Sequence, residues 1–67
     1  MKYTEAELDY VIDKLELGFM RHSIKNHAGG VEWLMNSFGA HTALVQYRFI
    51  KMCKEIWNAL KGGRKNV

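Results

Sequence analysis

The apolar residues near the start of this chain recur with the period of an α-helix. A first helix is predicted from Thr4 to about His22 or Lys25, because residues on one face repeat at about 100° per position. Thr4 and Glu7 have the spacing of a capping box, in which each side chain satisfies the other residue's backbone N–H. The apolar positions that share the core face of this helix are Leu8, Val11, Ile12, Leu15 and Phe19.

Two further helices follow, each bounded by glycine. The second is predicted from Val31 to Phe38 and ends at Gly39, and the third runs from near Thr42 to about Lys61, before Gly62-Gly63. The third carries an apolar arc of roughly 160° or more, wider than a single core stripe, so we expect neighbours on both flanks. The members of that arc are Val45, Phe49, Ile50, Met52, Cys53, Ile56, Trp57 and Leu60.

These patterns predict an all-α fold, a small three-helix bundle with long first and third helices and a short second helix. The predicted domain covers residues 1–61, and residues 62–67 form a basic flexible tail. At 67 residues a single core stabilises a fold by only about 3 to 5 kcal/mol. Cys53 is the only cysteine, so no disulfide within one chain adds to that. Self-association or docking on a larger partner is the expected further source of stability.

A second series of apolar residues lies opposite the core face of the first helix, with Asp13 among them. Others fall outside all the predicted core faces. Single apolar residues on a surface are normal, but Trp, Tyr and Met are enriched at protein interfaces, which favours a homodimer or a larger protein partner. The predicted interface residues are Tyr10, Leu17, Met20, Ile24, Trp33, Leu44 and Tyr47.

Charge is distributed unevenly, because residues 1–20 carry −3 and the remainder +6. The second helix, the turn at Gly39 and the longer third helix resemble helix-turn-helix proteins in outline, and the three helix lengths resemble those of homeodomain-like bundles. This sequence lacks the Asn that homeodomains carry after the aromatic pair of that helix, and it has Arg48 where an apolar core residue is expected. The resemblance implies DNA contacts at His41, Thr42, Gln46, Arg48, Lys51, Lys54, Asn58, Lys61, Arg64 and Lys65.

No catalytic, cofactor or metal motif has recognisable spacing, and we expect neither an enzyme nor a small-molecule substrate. His22 and His27 are five residues apart, which does not place two imidazoles on one helix face, and Cys53 is predicted to be buried. A membrane role is not expected, because helices that lie on a membrane surface usually have a stronger cationic face with few apolar residues on it, and Leu44 and Tyr47 interrupt the polar face of the third helix. A lone thiol with no apolar leader or span favours the cytoplasm.

The sequence therefore predicts a non-enzymatic helical module that binds protein, of the inhibitor or adaptor type, and that self-associates. The alternative is a helix-turn-helix regulator of transcription that uses the basic face of the third helix.

Overall fold

The protein is all-helical over residues 3–65, the part described by the computed structural model, with side chains described up to residue 62. The helices are α1 (Glu5–Lys14), α2 (Arg21–Asn26), α3 (Gly30–Asn36) and α4 (Ala40–Lys65), with a 3₁₀ turn at Gly18–Met20 before α2. Four α-helices are thus present where the sequence predicted three.

The start of α1 is the predicted capping box. The Glu7 backbone N–H donates to the Thr4 hydroxyl at 3.1 Å, and the Thr4 backbone N–H donates to the Glu7 carboxylate at 3.0 Å. These two bonds satisfy donors that the first turn of a helix otherwise leaves unpaired.

The first predicted helix is divided in two, because α1 ends at Lys14 in a Schellman motif. The Glu16 N–H donates to the Asp13 carbonyl at 3.0 Å, and the Leu17 N–H donates to the Ile12 carbonyl at 2.9 Å. Glu16 has a φ of 58°, in the left-handed region where glycine is usual, so periodicity gave no sign of this stop. The turn redirects the chain, and both apolar series of the predicted helix then reach one core.

That core is built from all four helices. Leu15, Leu17 and Met20 pack against it in a partly buried position, whereas Phe19, which was predicted to be buried, is 84% exposed. The fully or nearly buried apolar residues are Leu8, Val11, Ile12, Ile24, Leu34, Met35, Ala40, Ala43 and Leu44.

Two glycines allow the close turns between the last three helices. Gly30 is the first residue of α3, and a Cβ there would lie 2.2 Å from the Ile24 carbonyl oxygen, so only glycine permits this crossing of α2 and α3. Gly39 joins α3 to α4 with a φ of 84°, a backbone angle that residues with a side chain rarely adopt. The second helix was predicted to run to Phe38 and end at Gly39, whereas α3 ends at Asn36 and Gly39 lies in the turn before α4.

The last helix is longer than the sequence predicted. With 26 residues it is about 39 Å long, and it continues through Gly62 and Gly63 to Lys65 rather than stopping at Lys61. Asn66 and Val67, at the end of the predicted flexible tail, lie outside the described residues. The molecule measures 50 Å along its longest axis and about 20 Å across because α4 extends past the other helices.

Ion pairs join the polar side of α1 to α2. Arg21 pairs with both Asp9 and Asp13, and Lys25 contacts Asp9 at 2.7 Å. Asp13 therefore has its cationic partner within the same chain. Asp9 and Asp13, two of the acidic residues in the first twenty, are thus paired with cations of α2.

Candidate interaction surface on the last helix

One stripe of α4 packs on α1 and α3. We call residues 3–48, which include α1, α2, α3 and the first part of α4, the body. Ala40, Ala43 and Leu44 are buried there. One turn further on, the Tyr47 ring lies against the Tyr10 ring, with centroids 4.9 Å apart. Arg48, the next residue, forms an ion pair with Glu7 and is the last described residue of α4 that contacts α1 in this way. From residue 49 to residue 61 every residue of α4 is exposed.

The apolar arc of α4 points away from the body. At about 100° per residue its centre lies roughly half a turn from the stripe of Ala40, Ala43 and Leu44. The exposures agree, because Val45 is 65% exposed although its neighbour Leu44 is 5% exposed. The outer face, as we call this arc, consists of Val45, Phe49, Ile50, Met52, Cys53, Ile56, Trp57 and Leu60.

The outer face was predicted to be core, and that prediction is wrong. Helices were expected on both flanks of it, but α1 and α3 both pack on the opposite side of α4, and the body ends at about Arg48. Cys53, predicted to be a small buried hydrophobe, is exposed. The sequence carried a signal that was missed, since Ala40, Ala43, Leu44 and Tyr47 form their own narrow stripe half a turn away.

The outer face is large for a chain of this size. Seven of its side chains are between 42% and 65% exposed, and at roughly 200 Å² for a fully exposed large side chain they present about 750 Å² of apolar surface. The largest apolar patch on a typical monomer is about 300 to 600 Å². A standard interface buries about 800 Å² on each partner.

The charges of α4 are distributed differently from those of the body. Residues 49–67 hold five basic residues against one acidic residue, a net charge of +4, whereas residues 1–48 hold five basic against six acidic residues, a net charge of −1. Lys54 and Lys61 each follow a residue of the outer face by four positions, Ile50 and Trp57, and both are exposed. At about 100° per residue they lie where the edge of the outer face adjoins the stripe of Ala43 and Tyr47. The projecting part of α4 is thus a cationic amphipathic helix on a nearly neutral body.

Glu7 is the one charged residue that is buried among those the structure describes, at 8% exposed. The Arg48 Nε donates to its carboxylate at 2.7 Å. This hydrogen bond, followed by that from the Thr4 backbone N–H, lowers the pKa of Glu7 below its ordinary value of 4.5. The pair fixes the beginning of the projecting part of α4 against α1.

The predicted interface residues do not form one surface. Ile24 and Leu44 are buried in the core, Tyr10 and Tyr47 contact each other, and Trp33 is 49% exposed. Leu17 and Met20 pack against the core. The predicted series assumed one straight helix, and the Schellman turn after Lys14 removes that shared face.

The candidate nucleic-acid contacts are scattered around α4. Arg48 is engaged with Glu7, and Thr42 and Gln46 lie on the same side as the outer face by helical position. The side chains of Arg64 and Lys65 lie outside the described part of the chain. The other predicted contacts are all exposed, namely His41, Lys51, Lys54, Asn58 and Lys61.

A second surface feature is a pocket of about 350 Å³ between α2 and α3. Its walls are mainly apolar and include Met20, Ile24 and Trp33, above the backbone of Gly29 and Gly30. Within residues 3–65 no group of three or more His, Cys, Asp or Glu side chains is arranged to hold a metal ion. In the same part of the chain no helix is both long and apolar enough to cross a membrane.

Comparison with protein-family models, with curated protein sequences and with solved structures gave no significant match.

Proposed function

We propose that this chain is a small binding module, without catalytic chemistry of its own, whose working surface is the outer face of α4. One observation carries the proposal: within the described residues, the apolar arc of α4 is turned away from the helices on which α4 packs. Val45 illustrates the point, because it is 65% exposed next to a buried Leu44.

The size of the face supports binding more than chance exposure. Its apolar surface of about 750 Å² is larger than the largest apolar patch on a typical monomer. It is close to the area that a standard interface buries on each partner. Phe49 and Trp57 are residue types that dominate binding energy. Their placement on the exposed side of α4 makes both rings accessible to a partner.

A protein partner, or a second copy of the chain, fits the function predicted from the sequence, and either would bury the outer face. The surface that binds is then α4 and not the predicted series on the first helix. Regulation by occluding a larger partner, as an inhibitor or adaptor does, belongs to this proposal. Such regulation needs no residue beyond the outer face and Lys54 and Lys61, which we call its basic border.

The proposal is tested by making the outer face polar. Ile56→Gln with Leu60→Gln should leave the helical circular dichroism and the unfolding midpoint nearly unchanged, since both side chains are more than half exposed. The wild-type chain should bind a dye that fluoresces on apolar surfaces, and the double variant should bind it several-fold more weakly. Asn58→Gln with Lys51→Gln, on the polar side of the same helix, is the matched control and should bind the dye as the wild type does.

Two results together would refute this function. The folded wild-type chain would bind no dye, and its light scattering would equal that of both double variants at every concentration. Loss of dye binding only together with loss of helix would also count against it, because the outer face would then be part of the fold.

DNA binding is the second candidate, supported by the exposed lysines of α4 and its net positive charge. The geometry favours it less, because a recognition helix presents the side away from its own domain to the major groove. On α4 that side carries Phe49, Ile56 and Leu60, while Lys51 and Asn58 lie on the side of the body. Binding to duplex DNA that weakens steeply with salt, and that Lys51→Glu with Lys54→Glu abolishes, would support this candidate.

A further inference from the structure

The outer face is wide as well as apolar. By helical position its residues cover about 160° of α4 and continue from Val45 to Leu60. Two helices that pair in a coiled coil cover only a narrow seam on each other. A single partner helix would therefore leave one edge of this face exposed to water, whereas a flat apolar layer would cover the whole of it.

The body does not obstruct such a flat contact. Ala40, Ala43 and Leu44 attach α4 to the body on the side opposite the outer face. With the outer face laid on a plane, the body stands on the far side of the helix, in water. Trp57 and Phe49 then lie in the layer, which is where interfacial helices carry their aromatic residues.

The net positive charge of α4 indicates that the apolar layer has an anionic surface. Residues 49–67 have a net charge of +4, against −1 for residues 1–48. Lys54 and Lys61 border the face with long side chains whose stems can lie along apolar surface while the ammonium groups reach an adjacent polar layer. Attraction to an anionic surface adds to apolar burial for such a helix.

The same charges count against a second copy as the occupant. In an antiparallel pair of α4 helices each edge meets its own equivalent, which would bring Lys54 and Lys61 of one copy against Lys54 and Lys61 of the other. Like charges at a seam edge repel. The basic border thus complements an anionic partner better than it complements a second copy packed antiparallel.

One part of the sequence-based argument against a membrane role does not hold in the folded chain. That part depended on Leu44 and Tyr47 interrupting the polar face. Leu44 is 5% exposed and belongs to the core, and Tyr47 lies against Tyr10. Neither meets the surrounding water as an apolar residue of a free helix would.

We propose that the outer face of α4 binds an anionic lipid surface, with the helix axis parallel to the membrane plane, its lysines at the headgroups and the body in water. This inference rests on the proposed binding role of the outer face, and it assigns that face to a lipid surface in place of a protein partner. It describes attachment to one leaflet, in which the apolar side chains enter the boundary between headgroups and acyl chains.

The test is binding to vesicles of stated composition. Trp33→Phe leaves Trp57 as the single tryptophan, and its emission should shift to the blue on adding phosphatidylcholine vesicles that contain phosphatidylglycerol. Pure phosphatidylcholine vesicles should bind at least tenfold more weakly, and added salt should weaken the anionic binding. Sedimentation of the wild-type chain with the same vesicles checks that Trp33→Phe has not altered the result.

Two double variants separate the apolar and the charged contributions. Ile56→Gln with Leu60→Gln should abolish sedimentation with vesicles while the helical circular dichroism is kept. Lys54→Gln with Lys61→Gln leaves the apolar face intact and should weaken binding to anionic vesicles by about fivefold for each lysine removed, with little effect on pure phosphatidylcholine.

The outcomes also separate this inference from the function on which it rests. No binding to anionic vesicles, with a dimer in solution that Ile56→Gln and Leu60→Gln dissociate, would overturn the lipid proposal and leave the binding module standing with a second copy as its partner. Equal binding to both lipid compositions would overturn the anionic part. A monomer that ignores vesicles, apolar dye and the outer-face substitutions alike would overturn both.

Discussion

Replacing Gly30 with alanine should destabilise the protein through the crossing of α2 and α3. A Cβ at this position would lie 2.2 Å from the Ile24 carbonyl oxygen and 2.9 Å from its carbonyl carbon. Non-bonded carbon atoms sit about 3.5 to 4.0 Å apart, so the two backbones must separate by more than an ångström. Overpacking of this kind costs about 1 to 3 kcal/mol, and because both clashing atoms are backbone we expect the upper half of that range.

The assay is urea unfolding followed by circular dichroism. A chain with about 3 to 5 kcal/mol of stability in total should lose roughly half of it in Gly30→Ala. Gly29→Ala is the matched control, since its Cβ would meet only the His27 ring, at 4.0 Å. Gly29 is the N-cap of α3, where alanine is less favourable than glycine, so the control should lose less than about 1 kcal/mol. Equal midpoints for the two variants would refute the close approach of α2 and α3.

The remaining predictions concern the core, the ion pair and the turn after α1. Leu44→Ala should cost about 2 to 4 kcal/mol, whereas Ile56→Ala on the same helix should change stability by less than about 0.5 kcal/mol, and similar losses in thermal unfolding would contradict the assigned faces. The pKa of Glu7 is lowered in the folded chain from its ordinary 4.5, so its contribution is present above that pH and is lost as pH falls through the lowered value. Glu7→Gln should therefore unfold with less dependence on pH in acid, and an unchanged profile would exclude Glu7 as the cause. Glu16→Gly should stabilise the chain by about 0.5 to 1 kcal/mol because it relieves a left-handed residue, and a lower melting temperature would contradict the Schellman assignment.

Local patterns predicted the all-helical class and several boundaries well. The capping box at Thr4 and Glu7 and the turn at Gly39 depend on residues within one helical turn of each other, so the sequence contains all the information they need, although the helix before Gly39 ends at Asn36 and not at the predicted Phe38. The stop after Lys14 was missed because Glu16, and not glycine, takes the left-handed position. That single turn moved Ile24 from a predicted surface to the core.

The candidate surface required knowledge that periodicity lacks. An apolar arc on a helix predicts that the arc is buried, but it does not indicate whether the same chain or a partner buries it. The arc from Val45 to Leu60 was assigned to the core because it is the broadest in the chain. The real core stripe of α4 is narrow and partly built from Ala40 and Ala43, whose small side chains give a weak hydrophobic signal. Tertiary contacts decided between the two faces.

Thiol labelling of Cys53 tests the central claim most directly, because this residue lies in the outer face and is the only cysteine. The reaction with an aromatic disulfide reagent is followed at concentrations where light scattering gives a folded monomer, and again in denaturant. An outer face without cover predicts that both rates agree within a few-fold. Protection of the thiol by a hundredfold or more in the folded monomer would show that the chain buries this face itself, and would contradict the account.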